Sequence, residues 1–126
     1  MLVLDKKKKL PEIHPATQKA LNLFAQKVVE QEGKNLKKII LFGSVAREEA
    51  NEDSDIDVLV VLEKMTLDDF RMVSDISADV SWDMDYDENS YIQPVTVSEE
   101  ETSGLAYWEL MQNVSRDGVT LYDVGE

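Results

Sequence analysis

The chain has 126 residues, 26 acidic against 13 basic side chains, one histidine and no cysteine, with a formal net charge of −13 at pH 7. That length predicts one domain with a core that needs no staples, and the missing cysteines exclude disulfides and thiolate metal sites and favour an intracellular setting. His14 alone cannot supply an all-histidine metal site or a Ser-His-Asp triad, so any chemistry falls to carboxylates.

Taken in order, Met1 to Leu4 is apolar and Lys6 to Lys9 follows it, the reverse of the charge-then-apolar order of a signal peptide. No apolar run approaches the roughly 20 residues needed to span a bilayer. The reading is a cytoplasmic protein with no membrane partner, residues 1–12 forming a flexible tail and 13–126 a single domain. Outside the lysine run, 9 basic residues face 25 acidic ones over residues 11–126. Such a field repels a phosphate backbone, which argues against direct nucleic-acid binding, and attracts a basic protein surface.

Pro15 suits the first turn of a helix, where its missing N–H is not needed. Ala20, Leu21, Leu23, Phe24, Ala25, Val28 and Val29 then recur at helical spacing, and Gly33 marks the end. Leu36 to Phe42 reads as a strand that ends at Gly43-Ser44, with a short helix or turn over 44–50. After the polar connection 51–54, Asp55 to Leu62 reads as a second strand. Thr66 predicts an N-cap, with Asp68 and Asp69 in the first turn and Phe70, Val73, Ile76, Val80 and Met84 as an apolar stripe. Tyr91 to Val97 is a third strand, which Pro94 assigns to a sheet edge. Ser98 and Glu101 have the capping-box spacing, predicting a helix over roughly 104–115 with Leu105, Trp108, Leu110 and Met111 as its apolar side. Trp82 and Trp108 read as core or partner-interface residues, and Val119 to Tyr122 as a short last strand. The expected class is α/β, a small sheet covered by helices.

The chemistry concentrates in Gly43-Ser44 and Asp55-Ile56-Asp57. Glycine lets backbone approach a phosphate closely, Ser44 adds a hydroxyl donor, and the following N–H groups can face an anion. Asp55 and Asp57, two apart, project from one face of a strand. Their hard oxygens suit Mg²⁺, which keeps several waters and takes substrate phosphates as further ligands. Either half alone is ordinary: a Gly-Ser after a strand is commonly a turn, and an isolated Asp-x-Asp is commonly solvated. Together, at the mouth of a strongly apolar strand, two carboxylates are costly without a compensating cation. Arg47 can meet a triphosphate or pair with a nearby acid, and both readings stand on the sequence.

Gly-Ser, ten residues, then Asp-x-Asp resembles the signature of the minimal nucleotidyltransferase domains of the polymerase-β-like superfamily. Gly43, Ser44, Asp55 and Asp57 match it residue for residue; Ala46, Arg47, Ser54 and the ending Val114 to Tyr122 also fit. The resemblance implies the polymerase-β-like fold with a small mixed sheet flanked by helices. It implies Mg²⁺-dependent transfer of a nucleotidyl group, AMP from ATP, to a hydroxyl. Gly43, Ser44 and Arg47 would bind the nucleotide, and Asp55 and Asp57 would be the catalytic metal ligands. It further implies a partner, a HEPN-type toxin that the chain would modify as its antitoxin. Two departures are visible. Glu48 stands where many members have glycine, and counting back from Val97-Ser98 puts Gln93, a neutral amide, where the family has a third carboxylate. Asp83, Asp85 and Asp87 lie nearby in sequence and read as a solvated helix end. A second reading follows: a catalytically degenerate relative that neutralises its partner by binding alone. Homo-oligomerisation is left open.

Overall fold

The computed structural model describes residues 15–47, 55–82 and 91–125; the expected tail, Glu48, Ser54, Met84 and the acids at 83, 85 and 87 lie outside the described residues. Helix α1 (Pro15–Glu32) precedes strand β1 (Leu36–Phe42), the single-turn helix α2 (Gly43–Ala46) and strand β2 (Ile56–Leu62). Helix α3 (Leu67–Trp82), strand β3 (Ile92–Ser98), helix α4 (Trp108–Asp117) and strand β4 (Val119–Asp123) complete the chain. The strands form one mixed sheet in the order β3-β2-β1-β4, with β2 and β3 parallel and the β1 pairings antiparallel. β3 is an edge strand, as Pro94 requires: a residue without an N–H leaves no gap in a ladder on the open side.

Each sheet face has its own cover. Phe24, Ala25 and Val28 of α1 and Val73, Ile76 and Val80 of α3 pack on Ile39, Leu41, Ile56, Val58 and Val60. Leu110, Met111 and Val114 of α4 pack with Tyr107 on the opposite face, over Ile40, Phe42, Leu59, Val61, Val95 and Val97. A strand covered on both sides reads as a continuous apolar run. β2 is the clearest case: six of its seven residues are buried and Asp57 alone is partly exposed. Each fully buried Leu or Val contributes about 1.5–3 kcal/mol relative to exposure, so β2 is anchored firmly under a carboxylate held at its open end.

Local polar bonds set the elements' ends. The Asp69 N–H donates to Thr66 Oγ1 at 3.2 Å, and the Thr66 N–H donates to Asp69 Oδ2 at 2.9 Å, a reciprocal cap that starts α3. Further along α3, the buried hydroxyls of Ser77 and Ser81 both bind the Ile92 backbone. Ser77 donates to its carbonyl, and Ser81 accepts its N–H at 3.0 Å. α3 thereby fixes the start of β3, one residue before Gln93.

Three expectations need correction. The Ser98–Glu101 box forms, with Ser98 N–H on Glu101 Oε1 at 2.9 Å and Glu101 N–H on Ser98 Oγ at 3.2 Å, but it starts only a 3₁₀ turn. Gly104 then goes extended, at φ −85° and ψ 162°, and resets the helical phase. Helix α4 therefore begins at Trp108, turning Leu105 (92% exposed) and Trp108 (59%) outward while Leu110 and Met111 keep the sheet. Trp82, 71% exposed, is not a core residue either. Phe70 is also exposed. It shares the helical side of Ser77 and Ser81, which is turned toward the edge strand, and no fifth strand among the described residues lies beyond to cover it.

Candidate active site

β1 and β2 run antiparallel, so the end of one lies beside the start of the other; Phe42 pairs with Asp57. The chain turns immediately after Phe42 through Gly43, at φ +77°, and the Arg47 N–H closes the turn on the Gly43 carbonyl at 3.1 Å. That φ is the left-handed region, which glycine enters without steric cost. Glycine is required for a second reason. A Cβ here would overlap Oδ2 of Asp57 and stand 3.2 Å from its Cγ. The small-residue bend and the second carboxylate thus lie directly against one another. Ser44 follows in the first turn of α2, partly exposed.

The parallel pairing of β2 and β3 adds the third member, because Asp57 pairs with Gln93. The Gln93 side chain donates from Nε2 to Asp55 Oδ2 at 3.0 Å. By strand alternation Asp57 and Gln93 share the sheet face of Leu59, Val61, Val95 and Val97, the side on which α4 packs. The register puts Gln93 where the counting from Val97-Ser98 places the third position.

The electrostatics follow from this crowding. Burial raises the Asp57 carboxyl above its ordinary range, the Asp55 charge raises it further, and the Arg47 charge opposes both. Arg47 extends from the end of α2 to Asp117, with Nη1 on Oδ2 at 3.2 Å. Asp117 also accepts Arg116 Nε at 3.1 Å and Nη2 at 3.0 Å. The Arg116 bond, followed by Arg47, holds the Asp117 carboxyl below the usual range. Of the two sequence readings of Arg47, the structure displays the ion pair, and it also places the guanidinium in the field of Asp57.

Among the described residues no group of three or more His, Cys, Asp or Glu side chains is placed to hold a metal ion. Two carboxylates near enough for the charge on Asp55 to raise Asp57 do fit a cation that brings other ligands with it. A divalent ion would offset the burial and the Asp55 charge that raise Asp57, and Mg²⁺ is commonly held by one or two carboxylates plus phosphate oxygens and water. Sequence reasoning missed Asp117, Ser77 and Ser81. Asp117 showed only as half of a turn signal, and nothing local marks the two serines, whose partners lie more than ten residues away.

Residues 21–123 match the nucleotidyltransferase domain family. A protein of Methanocaldococcus jannaschii that carries the name protein adenylyltransferase is 33% identical over 105 residues, 83% of this chain and 97% of the relative. Among solved structures, a spectinomycin adenyltransferase from Enterococcus faecialis with ATP and spectinomycin aligns at TM-score 0.64 and 18% identity, over 85% of this chain and 56% of that one. A toxin–antitoxin structure with AMP-PNP aligns at TM-score 0.56 and 21% identity, over 80% and 72% of the two chains. A complex of tri-AMPylated Shewanella oneidensis HEPN toxin with MNT antitoxin aligns at TM-score 0.52 and 16% identity, over 87% and 74%.

Proposed function

Since the chain belongs to the nucleotidyltransferase domain family, we propose that it transfers AMP from ATP to a hydroxyl on a partner protein, a HEPN-type toxin being the leading candidate. The observation that supports this reading is the close approach of Gly43 to the Asp57 carboxylate, which sets the bend beside the second acid of the Asp-x-Asp pair. The acceptor class is supported by the name of the Methanocaldococcus relative and by the AMPylated toxin in the Shewanella complex. No described helix is long and apolar enough to cross a membrane, and we place the reaction in the cytoplasm, where ATP is plentiful.

Each residue then has a task. The Gly43-Ser44 bend lets the triphosphate approach the backbone, and the Ser44 hydroxyl donates to it. Arg47 supplies positive charge beside it. Asp55 and Asp57 would hold Mg²⁺, which offsets the charge on the phosphates when bound. Gln93, through its bond to Asp55, keeps that carboxylate oriented. The acceptor hydroxyl oxygen forms a bond to the α-phosphorus while the bond from that phosphorus to the bridging oxygen breaks, and pyrophosphate leaves. Positioning and electrostatic stabilisation supply most of the acceleration in such a transfer.

The hydroxyl proton must also go somewhere. Gln93 has no basic atom to receive it, so position 93 supplies no general base and the proton passes to another carboxylate, to solvent or to a group that the acceptor brings. This favours a second reading, in which the chain binds nucleotide and partner but transfers slowly or not at all. The two are separated by supplying ATP labelled at the α-phosphate and Mg²⁺ to the protein co-purified with the product of the adjacent open reading frame. Label on that product, abolished by Asp57→Ala, supports transfer. ATP binding by calorimetry with no label supports the binding-only reading. Transfer retained by Asp57→Ala would overturn the assignment of the site.

A further inference from the structure

Asp117 ends α4, where the helix's exposed carbonyls disfavour a negative side chain. A carboxylate at that position is therefore not there to stabilise the helix. Its surroundings show what it does instead. Its side chain is only 10% exposed and pairs with Arg47 across a sequence separation of 70 residues. The backbone beneath it is fixed. The Gly118 N–H donates to the Val114 carbonyl at 2.7 Å, and a Cβ at Gly118 would overlap that carbonyl and stand 2.8 Å from Ile40 Cγ2. The α4–β4 junction is thus pressed onto β1 two residues before Phe42. Arg116, the neighbouring residue, grips the same carboxylate from the solvent side.

We propose that Asp117 is a positioning residue of the nucleotide site, holding the Arg47 guanidinium at the mouth of the Gly43-Ser44 bend so that it meets the triphosphate. This rests on the nucleotide-site reading given above. The bond to Asp117 holds the guanidinium plane through Nη1, and that rigid plane sets the directions of its N–H donors. A long, rotamer-rich side chain loses entropy when a ligand immobilises it. Asp117 imposes much of that order before the nucleotide arrives. The same contact ties α4 to the site.

The test is a double-mutant cycle on the full chain, read by calorimetry with AMP-PNP and Mg²⁺ and by the steady-state constants for ATP. Asp117→Asn keeps the shape and removes the charge, and is expected to raise the AMP-PNP Kd about tenfold, the scale of one charge-assisted hydrogen bond. It should raise KM for ATP with little change in kcat, the pattern of lost uniform binding. Asp117→Glu should recover most of the affinity. Arg47→Ala should weaken binding at least as much as Asp117→Asn, and Asp117→Asn added to Arg47→Ala should do nothing further. Additive losses would overturn the proposal, because Asp117 would then act independently of Arg47. Tighter binding by Asp117→Asn would also overturn it, since Asp117 would be competing with phosphate for the guanidinium. If the unaltered protein fails to bind AMP-PNP at all, the nucleotide-site reading falls together with it; if it binds and the cycle is additive, only the role of Asp117 falls.

Discussion

Replacing Gly43 by alanine tests the pocket through stability alone, before any ligand is added. Two costs are expected. A non-glycine residue at φ +77° carries roughly 1–2 kcal/mol of backbone strain. The new methyl would also overlap Oδ2 of Asp57 and lie 3.2 Å from Cγ and 3.3 Å from Cβ of the same side chain. Asp57 must then leave its rotamer or β2 must shift, at a cost of about 1–3 kcal/mol by analogy with overpacked cores. The total is about 2–5 kcal/mol. In an Asp57→Ala background Oδ2 and Cγ are gone, and the remaining Cβ contact can be relieved by a few tenths of an ångström. Gly43→Ala should then cost only its backbone strain, about 1–2 kcal/mol. Urea denaturation of the four proteins measures this coupling, expected at about 1–3 kcal/mol. Equal destabilisation in both backgrounds would show that the bend and the carboxylate are not in contact, and the pocket would be lost as an explanation.

Three other expectations follow from the same geometry. Asp57→Asn should abolish transfer yet stabilise the ligand-free protein, because it removes a carboxylate that burial and Asp55 both disfavour; after allowance for solvent screening of a partly exposed group, about 0.5–1 kcal/mol or roughly 2–5 °C in Tm is expected by calorimetric scanning, and a fall in Tm would contradict it. Gln93→Glu places a third carboxylate in register with Asp57, so Mn²⁺ binding without nucleotide should tighten several-fold and transfer should rise about tenfold or more, the scale of a general base; unchanged metal affinity would argue that position 93 does not face the cation. Glu32, buried at the end of α1, has a carboxyl raised by desolvation and by Asp69, against the lowering effect of Asn35. Its neutral form is favoured in the folded state, so the stability it contributes is full below the ordinary glutamate range and is lost as pH rises through the raised value. Glu32→Gln should therefore raise Tm at neutral pH, by a degree or more, and have little effect in acid; the opposite pH trend would refute the assignment.

The parts of this molecule that were legible in the sequence are those encoded locally. Gly43-Ser44 and Asp55-x-Asp57 sit at the facing ends of consecutive antiparallel strands, so a short spacing in sequence guarantees proximity in space. Pro94 announced an edge strand because a missing N–H has few places to go. Gln93 could be counted into register because β3 runs without a bulge from Ile92 to Ser98. The rest depends on contacts between distant segments. Ser77 and Ser81 look like weak helix residues until β3 docks and presents the Ile92 backbone. Asp117 looks like half of a turn until α4 brings it to Arg47. Leu105 and Trp108 kept the spacing of a buried stripe, but Gly104 breaks the helical phase just ahead of them. Periodicity assumes one continuous helix, and it fails where a glycine interrupts one.

The most direct test is a crystal structure of the protein with AMP-PNP and Mn²⁺, the manganese located by its anomalous signal. The ion should lie at about the 2.0–2.2 Å expected of a hard cation from carboxylate oxygens of both Asp55 and Asp57, with the triphosphate against Gly43-Ser44 and Arg47 turned toward it. A nucleotide bound elsewhere, or manganese that touches neither aspartate, would contradict the account.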